Sequence, residues 1–282
     1  MGQINATLAR AWRWLTEADA LAADDHRPWP LPSGAWVMAQ TWNDLLFAHW
    51  PVRRSALADH VPAALPLDTF DGEAWVGITP FVLTDLRPRT LPPAPWVSAF
   101  PEINVRTYVR RDGKGGVFFF SLDAGSALAV VGARWLYALP YHYARFDVAR
   151  HGARIRYVCH REERGAAPAA FEAEYEPGGP VARAAPDTLE AWLTERYCLY
   201  TVDAAGAVSR AEIHHEPWPL RPARAEIRVN TMAAANGLSL PARPPLLHFA
   251  QRLQVNVWLP ARVDARRGSL RSGGGGRPCP RA

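Results

Sequence analysis

Three polar side chains, Glu102, Asn104 and Arg106, occupy every second position of an otherwise apolar stretch. Side chains on a β-strand alternate between its two faces, so the stretch predicts a strand that carries all three on one face. A carboxylate, an amide and a guanidinium in one row form either a solvent-exposed face or the polar lining of a cavity. The apolar run 117–120 follows a tight turn and would pair back onto this strand, which favours the cavity.

Two roles are open for Arg106. Its guanidinium could clamp a substrate carboxylate through two parallel hydrogen bonds. It could instead form an internal ion pair with Glu102, four residues away on the same face. Both roles can hold at once, because a buried arginine is costly unless it is paired. Asn104 lies between the two and could orient either group, and Glu102 is either a pocket acid that anchors a ligand or a solvent-facing carboxylate.

The elements that must position these residues can be read from turn signals and apolar spacing. A hairpin joins 104–111 to 116–122 through the turn Asp112–Gly115, whose two glycines supply the positive φ angles of a tight turn. Helical spacing over Ser126–Tyr137 places Leu128, Val131 and Trp135 together on one side of a helix that faces the sheet. Further predicted elements are a helix over 188–196 and two final strands over 246–249 and 253–258.

Many short strands with few short helices predict a β-rich α+β protein, in which a curved antiparallel sheet closes toward a barrel or cone. Residues 35–261 are predicted to form this single β-barrel domain. The preceding residues 1–34 are predicted as an appended helix, over Ala6–Ala23, and a Pro-rich linker. Residues 262–282 contain four consecutive glycines, scattered arginines and no apolar pattern, which predicts a disordered Arg/Gly-rich tail.

The positive charge of the chain belongs to its C-terminal end. The 282 residues carry a net charge of +5. The six arginines and one aspartate from Arg262 onward account for all of it, which leaves 26 basic and 26 acidic residues in the first 261 positions. A neutral body argues against a nucleic-acid partner, because a binding surface for nucleic acid needs its own basic stripe.

Several other classes are excluded by what the chain does not contain. No apolar run reaches the length of a membrane span, so no membrane partner is predicted. Three cysteines without paired spacing and the lack of a secretory leader predict a cytoplasmic location. No glycine-rich phosphate loop occurs, and the adjacent His214 and His215 would point to opposite faces of a strand, so neither a cofactor nor a metal is predicted.

A series of blocks in the chain resembles one protein family. The blocks include Asp44–Val52, Phe70–Gly77, Glu102–Val109, Phe119–Asp123, Ala133–Tyr141, Glu195–Tyr197 and His215–Leu220. In this order, and over about residues 35–260, they resemble the YqjF-like family, an uncharacterised family of the acetoacetate decarboxylase-like superfamily. The resemblance implies a curved antiparallel barrel or cone with an interior pocket, which agrees with the fold class predicted from the strands.

The resemblance also bears on chemistry. Acetoacetate decarboxylase uses a lysine that forms a Schiff base with a keto acid, within a Gly-Arg-Glu…Pro-Lys pattern. The similar stretch here is Ala133-Arg134-Trp135…Pro140-Tyr141, so Tyr141 stands where that lysine is expected. A phenol cannot form an imine, and the single lysine of the chain, Lys114, lies in a hairpin turn. Glu102 falls at the position that resembles the pocket glutamate of the decarboxylases.

The predicted function is to bind a small organic molecule, one that bears a carboxylate, inside the barrel. Glu102 and Tyr141 are the predicted catalytic acid–base pair, and Asn104, Arg106 and Arg134 are the predicted substrate-binding residues. Such groups support enolisation or hydration of a keto or hydroxy acid, not Schiff-base decarboxylation. The alternative function is that of a non-catalytic ligand sensor or interaction protein. Exposed strand edges could also pair between subunits, so a homo-oligomer stays open.

Overall fold

The computed structural model describes residues 24–94 and 97–263. The predicted helix Ala6–Ala23 and residues 264–282 of the predicted tail lie outside these ranges. Within them, one twelve-stranded sheet is accompanied by two α-helices, α1 (Ala127–Tyr137) and α2 (Leu189–Thr194). The strands are β1 (Met38–Val52), β2 (Ala74–Pro88), β3 (Phe100–Arg111), β4 (Lys114–Ala124), β5 (Tyr141–His151), β6 (Arg154–Arg161), β7 (Ala170–Pro177), β8 (Cys198–Val202), β9 (Val208–His214), β10 (Leu220–Asn230), β11 (Leu246–Val257) and β12 (Ala261–Arg262).

The sheet closes on itself twice. Its strand order is β12-β9-β8-β4-β3-β2-β1-β11-β10-β7-β6-β5, and two further pairings join β4 to β5 and β9 to β11. The first closes a barrel of nine strands, and the second closes a smaller ring of seven that shares β4, β3, β2, β1 and β11 with the barrel. Pairing is antiparallel except where β4 meets β5 and β8. The predicted β-rich barrel is therefore confirmed.

Strand β3 belongs to both rings and has no solvent-exposed face between Glu102 and Val109. Its odd-numbered residues Ile103 and Val105 pack into the larger apolar core, together with Tyr157 of β6. Its even-numbered residues point to the other side, into the ring of seven strands. One face of β3 thus packs into the larger apolar core and the other faces the inside of the ring of seven strands, which explains why apolar and polar residues alternate along it. The face that carries Glu102, Asn104 and Arg106 is therefore not exposed to solvent.

Helix α1 has the expected ends but not the expected orientation. Ser126 caps its N-terminus, because its hydroxyl accepts a hydrogen bond from the Ala129 amide, and the chain leaves the helix at Ala138. The expected inner face is wrong: Leu128, Val131 and Trp135 are 70%, 64% and 87% exposed, respectively. The helix is apolar on nearly every side, so spacing alone could not select the buried residues.

The final strand is one element rather than two. The continuous strand β11 pairs with β1 from Leu246 to Val257. Gln251 and Arg252 are both exposed, and these two consecutive polar residues interrupt the apolar pattern, so the sequence predicted two strands. The other predicted helix is shorter than expected, because α2 ends at Thr194 and leaves Arg196 beyond it.

Part of the Pro-rich segment before β1 is bonded to the sheet. The Arg27 guanidinium donates to the Ile213 carbonyl at 2.6 Å, and the Trp29 indole donates to a Glu212 carboxylate oxygen at 2.7 Å. These contacts hold the segment along β9. In the described part of the chain, the structure contains no helix long and apolar enough to cross a membrane.

Candidate ligand-binding site

A cavity of about 380 Å³ opens inside the ring of seven strands, with α1 along one wall. Most of its lining is apolar and aromatic, with Phe81, Phe100 and Phe119 among the larger side chains. Four of the five predicted site residues line it: Glu102, Asn104, Arg106 and Tyr141. A largely apolar cavity with a few converging polar groups is the usual form of a small-molecule site.

Glu102 and Tyr141 meet on the wall of the cavity. The Tyr141 hydroxyl donates a hydrogen bond of 3.0 Å to Oε2 of Glu102, which is only 4% exposed. Burial raises the pKa of the Glu102 carboxyl to about 8, against the opposing effect of the Tyr141 hydrogen bond and with a smaller contribution from the charge of Asp123. Burial and the neighbouring Glu102 also raise the pKa of Tyr141 well above its usual value. At neutral pH both groups therefore hold their protons.

Arg106 lies further along β3 and does not pair with Glu102. Its guanidinium carbon is 5.1 Å from the centroid of the Phe47 ring and 6.0 Å from that of Tyr108. Among the residues that the structure describes, no carboxylate lies within ion-pairing distance of this side chain, which is 9% exposed. Four residues of strand separate the Cα atoms of Glu102 and Arg106 by roughly 13 Å. The internal ion pair that the spacing allowed is thus not formed.

A glycine on the neighbouring strand leaves room for the side chains of His49 and Arg106. Gly77 of β2 pairs with His49 on one side and with Arg106 on the other. A Cβ atom on Gly77 would lie 3.0 Å from the His49 ring and 3.3 Å from Cγ of Arg106. The gap lets the His49 ring reach the Tyr108 hydroxyl, at 2.6 Å. Burial, and next the charge of Arg106, lower the pKa of His49 well below its usual value, so this histidine is neutral.

Arg196 is a cavity residue that the sequence did not single out. It is 7% exposed, and its Nη1 bonds Asp68 at 2.7 Å while its Nε donates to the Trp192 carbonyl at 2.6 Å. Its guanidinium carbon lies 4.8 Å from the centroid of the Tyr108 ring. The only signal was its place in the Glu195–Tyr197 block, since nothing in the sequence indicates that Asp68, 128 residues away, meets it.

Arg134, the fifth predicted site residue, is placed outside the cavity. It lies on the outer side of α1, where its guanidinium donates to the Tyr141 carbonyl and pairs with Glu163. It therefore ties the start of β5 to α1 from the outside. Lys114 also lies away from the cavity. Its ammonium group forms an ion pair with Glu212 at 2.8 Å.

His215 reaches the cavity wall as a neutral imidazole. Its two ring nitrogens lie 2.8 Å and 3.3 Å from the carbonyl oxygens of Glu216 and Arg196, and its ring stacks on Tyr197. Burial lowers the pKa of His215 to about 4 in spite of these two carbonyls. Across residues 24–94 and 97–263, His, Cys, Asp and Glu side chains form no cluster of three that could hold a metal ion.

Several buried polar atoms of the cavity wall are left without a partner. Seven buried side-chain nitrogen or oxygen atoms of residues that line it make no hydrogen bond with any described residue. They are Nε1 of Trp42, Oγ1 of Thr79, Oδ1 of Asn104, Nε of Arg106, the hydroxyl of Tyr137, Nη2 of Arg196 and Nε1 of Trp218. Because buried polar groups are costly without partners, this wall is a less stable part of the protein interior.

Several solved structures have a similar fold. An acetoacetate decarboxylase from Legionella pneumophila matches with a TM-score of 0.54 and 14% identity, over 86% of this chain and 94% of that one. An acetoacetate decarboxylase-like enzyme from Sphingomonas wittichii RW1 matches with a TM-score of 0.56 and 13% identity, over 85% and 98%. The enduracididine biosynthesis enzyme MppR matches with a TM-score of 0.56 and 9% identity, over 81% and 90%. The fold is thus a barrel of the acetoacetate decarboxylase-like type.

Sequence similarity narrows the class to a family. The chain belongs to DUF2071, a family described as an uncharacterised conserved protein, whose profile matches residues 39–254. The uncharacterised protein YqjF of Bacillus subtilis (strain 168) is 50% identical over 228 residues, which cover 81% of this chain and 93% of that protein. The predicted family and fold are confirmed.

Proposed function

We propose that the barrel binds a small organic molecule bearing a carboxylate in this cavity. The observation that carries the proposal is the state of Arg106: a buried guanidinium, facing an apolar cavity, that no carboxylate of the described residues neutralises. Glu102, the acidic residue nearest to it along β3, is held in its protonated form by burial, which raises its pKa to about 8. An anionic ligand would therefore meet a positive charge and no opposing negative one.

Schiff-base decarboxylation is not part of this proposal. An imine needs a primary amine, and the chain contains one lysine. That lysine, Lys114, bonds Glu212 outside the cavity, while the phenol of Tyr141 faces Glu102 inside it. The solved structures of similar fold support the fold and not the chemistry, because fold alone does not carry activity.

The chemistry that Glu102 and Tyr141 support is proton transfer. The Tyr141 hydroxyl donates its hydrogen bond to Oε2 of Glu102, so at neutral pH the Glu102 carboxyl keeps its own proton for a carbonyl oxygen of the ligand. Delivery of that proton leaves a Glu102 carboxylate, which takes a proton back either from the carbon next to the carbonyl, in enolisation, or from a water molecule that adds to the carbonyl carbon, in hydration. The reaction class is then enolisation or hydration of a keto acid, with the carboxylate held by Arg106.

Binding can be tested by isothermal titration of the full chain with keto acids, hydroxy acids and their methyl esters. We expect carboxylates to bind, esters to bind poorly, and Arg106→Met to lose roughly 30-fold or more in affinity, because an ionic partner of the ligand is removed. Methionine preserves most of the packing against Phe47, and Arg224→Met, an exposed arginine of β10, is the matched control. Equal binding by wild type and Arg106→Met would overturn the proposal.

Turnover is tested separately with Glu102→Gln. A catalytic role predicts that this variant still binds the carboxylate but no longer exchanges the α-protons of a bound keto acid with deuterium, as followed by NMR. If wild type binds a panel of keto acids without exchange or consumption, the sensor function takes the place of the catalytic one.

A further inference from the structure

The cavity wall contains two separate polar groups of residues on the same face of β3, which we call its two ends, although the lining continues past Glu102 to Phe100. At the first, which we call the acid end, Glu102 and Tyr141 form a neutral, hydrogen-bonded pair. At the second, the cation end, Arg106 and Arg196 both line the wall. The roughly 13 Å of strand between the Cα atoms of Glu102 and Arg106 separates the two ends.

The cation end gathers two guanidiniums around one aromatic ring. Their carbon atoms lie 6.0 Å (Arg106) and 4.8 Å (Arg196) from the centroid of Tyr108. One carboxylate, Asp68, is paired there, and it bonds Arg196 through Nη1 alone. Both arginines are more than nine-tenths buried, and each keeps a nitrogen that has no hydrogen-bond partner in the described structure. A second anion at this end would offset the repulsion between the two cations.

Between the two ends the sheet contributes both polar and apolar side chains. Leu122 of β4 lies beside Asn104 in the register of the sheet, Phe81 pairs with Glu102 and Phe119 with Arg106, and the lining of the cavity as a whole is mostly apolar. Asn104 and Thr79, opposite each other on β3 and β2, are polar side chains of this middle part, and each keeps one unpartnered oxygen. A ligand body that fills this part must be largely apolar or aromatic.

From this arrangement we infer that the ligand is an elongated acid with its two polar groups far apart. Its carboxylate lies at the cation end between Arg106 and Arg196, its apolar or aromatic body fills the middle, and a carbonyl or hydroxyl group meets Glu102 and Tyr141. This inference rests on the proposed function and names its ligand class. Acids in which the carbonyl is adjacent to the carboxylate, such as pyruvate, are too short to occupy both ends.

A series of oxo acids in which the carbonyl moves away from the carboxylate tests the ligand class. Pyruvate, acetoacetate, 4-oxopentanoate, 6-oxoheptanoate and 4-acetylphenylacetate would be titrated into the full chain by calorimetry. We expect affinity to rise along the series, with the last two binding at least tenfold tighter than pyruvate. We also expect heptanoate, which lacks the distal carbonyl, to bind several-fold more weakly than 6-oxoheptanoate, and this difference to vanish in Tyr141→Phe.

Two variants locate the ends. Arg196→Lys keeps a positive charge beside Asp68 but replaces the planar guanidinium, which can form two parallel hydrogen bonds with a carboxylate, so the long acids should lose about tenfold in affinity while the protein stays folded. Leu122→Phe narrows the middle, and it should weaken the long acids while leaving acetate and pyruvate unchanged. If Arg196→Lys lowers the melting temperature severely, the ligand series on the wild type and Leu122→Phe still decides the question.

The outcomes separate this inference from the proposed function. Pyruvate binding as tightly as 6-oxoheptanoate, with both dependent on Arg106, would overturn the elongated ligand and leave the carboxylate site standing. No acid of the series binding in an Arg106-dependent manner would overturn both. A preference for long acids that survives in Tyr141→Phe and in Leu122→Phe would place the ligand elsewhere and overturn the inference.

Discussion

Tyr141 donates a hydrogen bond to Glu102 across 39 positions of the chain, and both groups are protonated where they meet. The bond joins the first residue of β5 to β3 at the place where β4 and β5 pair in parallel and close the larger barrel. The Tyr157 hydroxyl donates to the Glu102 carbonyl from the other interior, at 2.8 Å. Hydrogen bonds thus fix Glu102 from both sides of its strand. Its raised pKa follows from its burial at this place in the fold.

The first prediction concerns pH and stability. The folded pKa of Glu102, about 8, lies above the usual 4.5, so the native state holds one more proton than the unfolded state between these values. Its stabilising contribution is fully present below about pH 4.5 and is lost as the pH rises through about 8. Within this window the slope contributed by the group is on the order of 1.4 kcal/mol per pH unit.

Urea denaturation of wild type and Glu102→Gln from pH 5 to 9 measures this slope. The difference between the two unfolding free energies should shift in favour of the glutamine variant as pH rises, because glutamine mimics the protonated acid and cannot ionise. Glu226→Gln, at an exposed glutamate of β10, is the control. Parallel curves for wild type and Glu102→Gln would show that the carboxyl titrates normally.

The second prediction concerns a buried ion pair. Arg161 of β6 bonds both carboxylate oxygens of Asp123 on β4, at 2.6 Å and 2.8 Å, and neither side chain is accessible beyond 2%. Arg161→Met should cost about 3–5 kcal/mol of unfolding free energy, because it leaves a buried charge unpaired. The double variant Asp123→Leu/Arg161→Met should recover most of this loss. A double variant no more stable than the single one would argue against that mechanism.

The third prediction concerns Gly77, which lies between His49 and Arg106. Gly77→Ala should cost about 1–3 kcal/mol in chemical denaturation, because the added methyl group meets the His49 ring in a packed interior. It should also weaken binding of a carboxylate by displacing Arg106. Gly34→Ala, where nothing lies within 4 Å of the added atom, should cost nothing. An unchanged midpoint for Gly77→Ala would mean that the two neighbouring strands can separate to accept the methyl group.

The fourth prediction concerns α1. Gly132 lies within this helix, is exposed, and has open space where a Cβ would be placed. Gly132→Ala should therefore raise the unfolding free energy by about 0.5–1 kcal/mol, since glycine loses more backbone entropy in a helix than alanine. Ala133→Gly should lower it by a similar amount. A destabilised Gly132→Ala protein would indicate that the helix does not keep this position open.

The strand that carries the site could be predicted from its own sequence and from the turn that follows it. Alternation placed Glu102, Asn104 and Arg106 on one face, and the glycine turn placed β4 beside β3. The family resemblance placed Tyr141 in the same pocket as Glu102. Their hydrogen bond was not predicted, since residues 39 positions apart in different strands carry no local signal of contact.

What could not be predicted depends on long-range packing. Arg134 and Arg196 are indistinguishable as isolated arginines next to helical segments, and only the closed sheet decides that the first faces outward and the second inward. The inner side of α1 was mispredicted because an apolar helix offers several equivalent stripes. The double closure of the sheet depends on pairings between strands far apart in the chain, which no window of sequence can show.

Lys114 has a further, practical consequence. Amine-directed reagents would find a single side-chain target in the whole chain, at the hairpin between β3 and β4 and outside the cavity. A dye, a spin label or a surface tether attached there sits at one defined position. Every molecule on a sensor chip coupled through that side chain would then present its cavity in the same orientation.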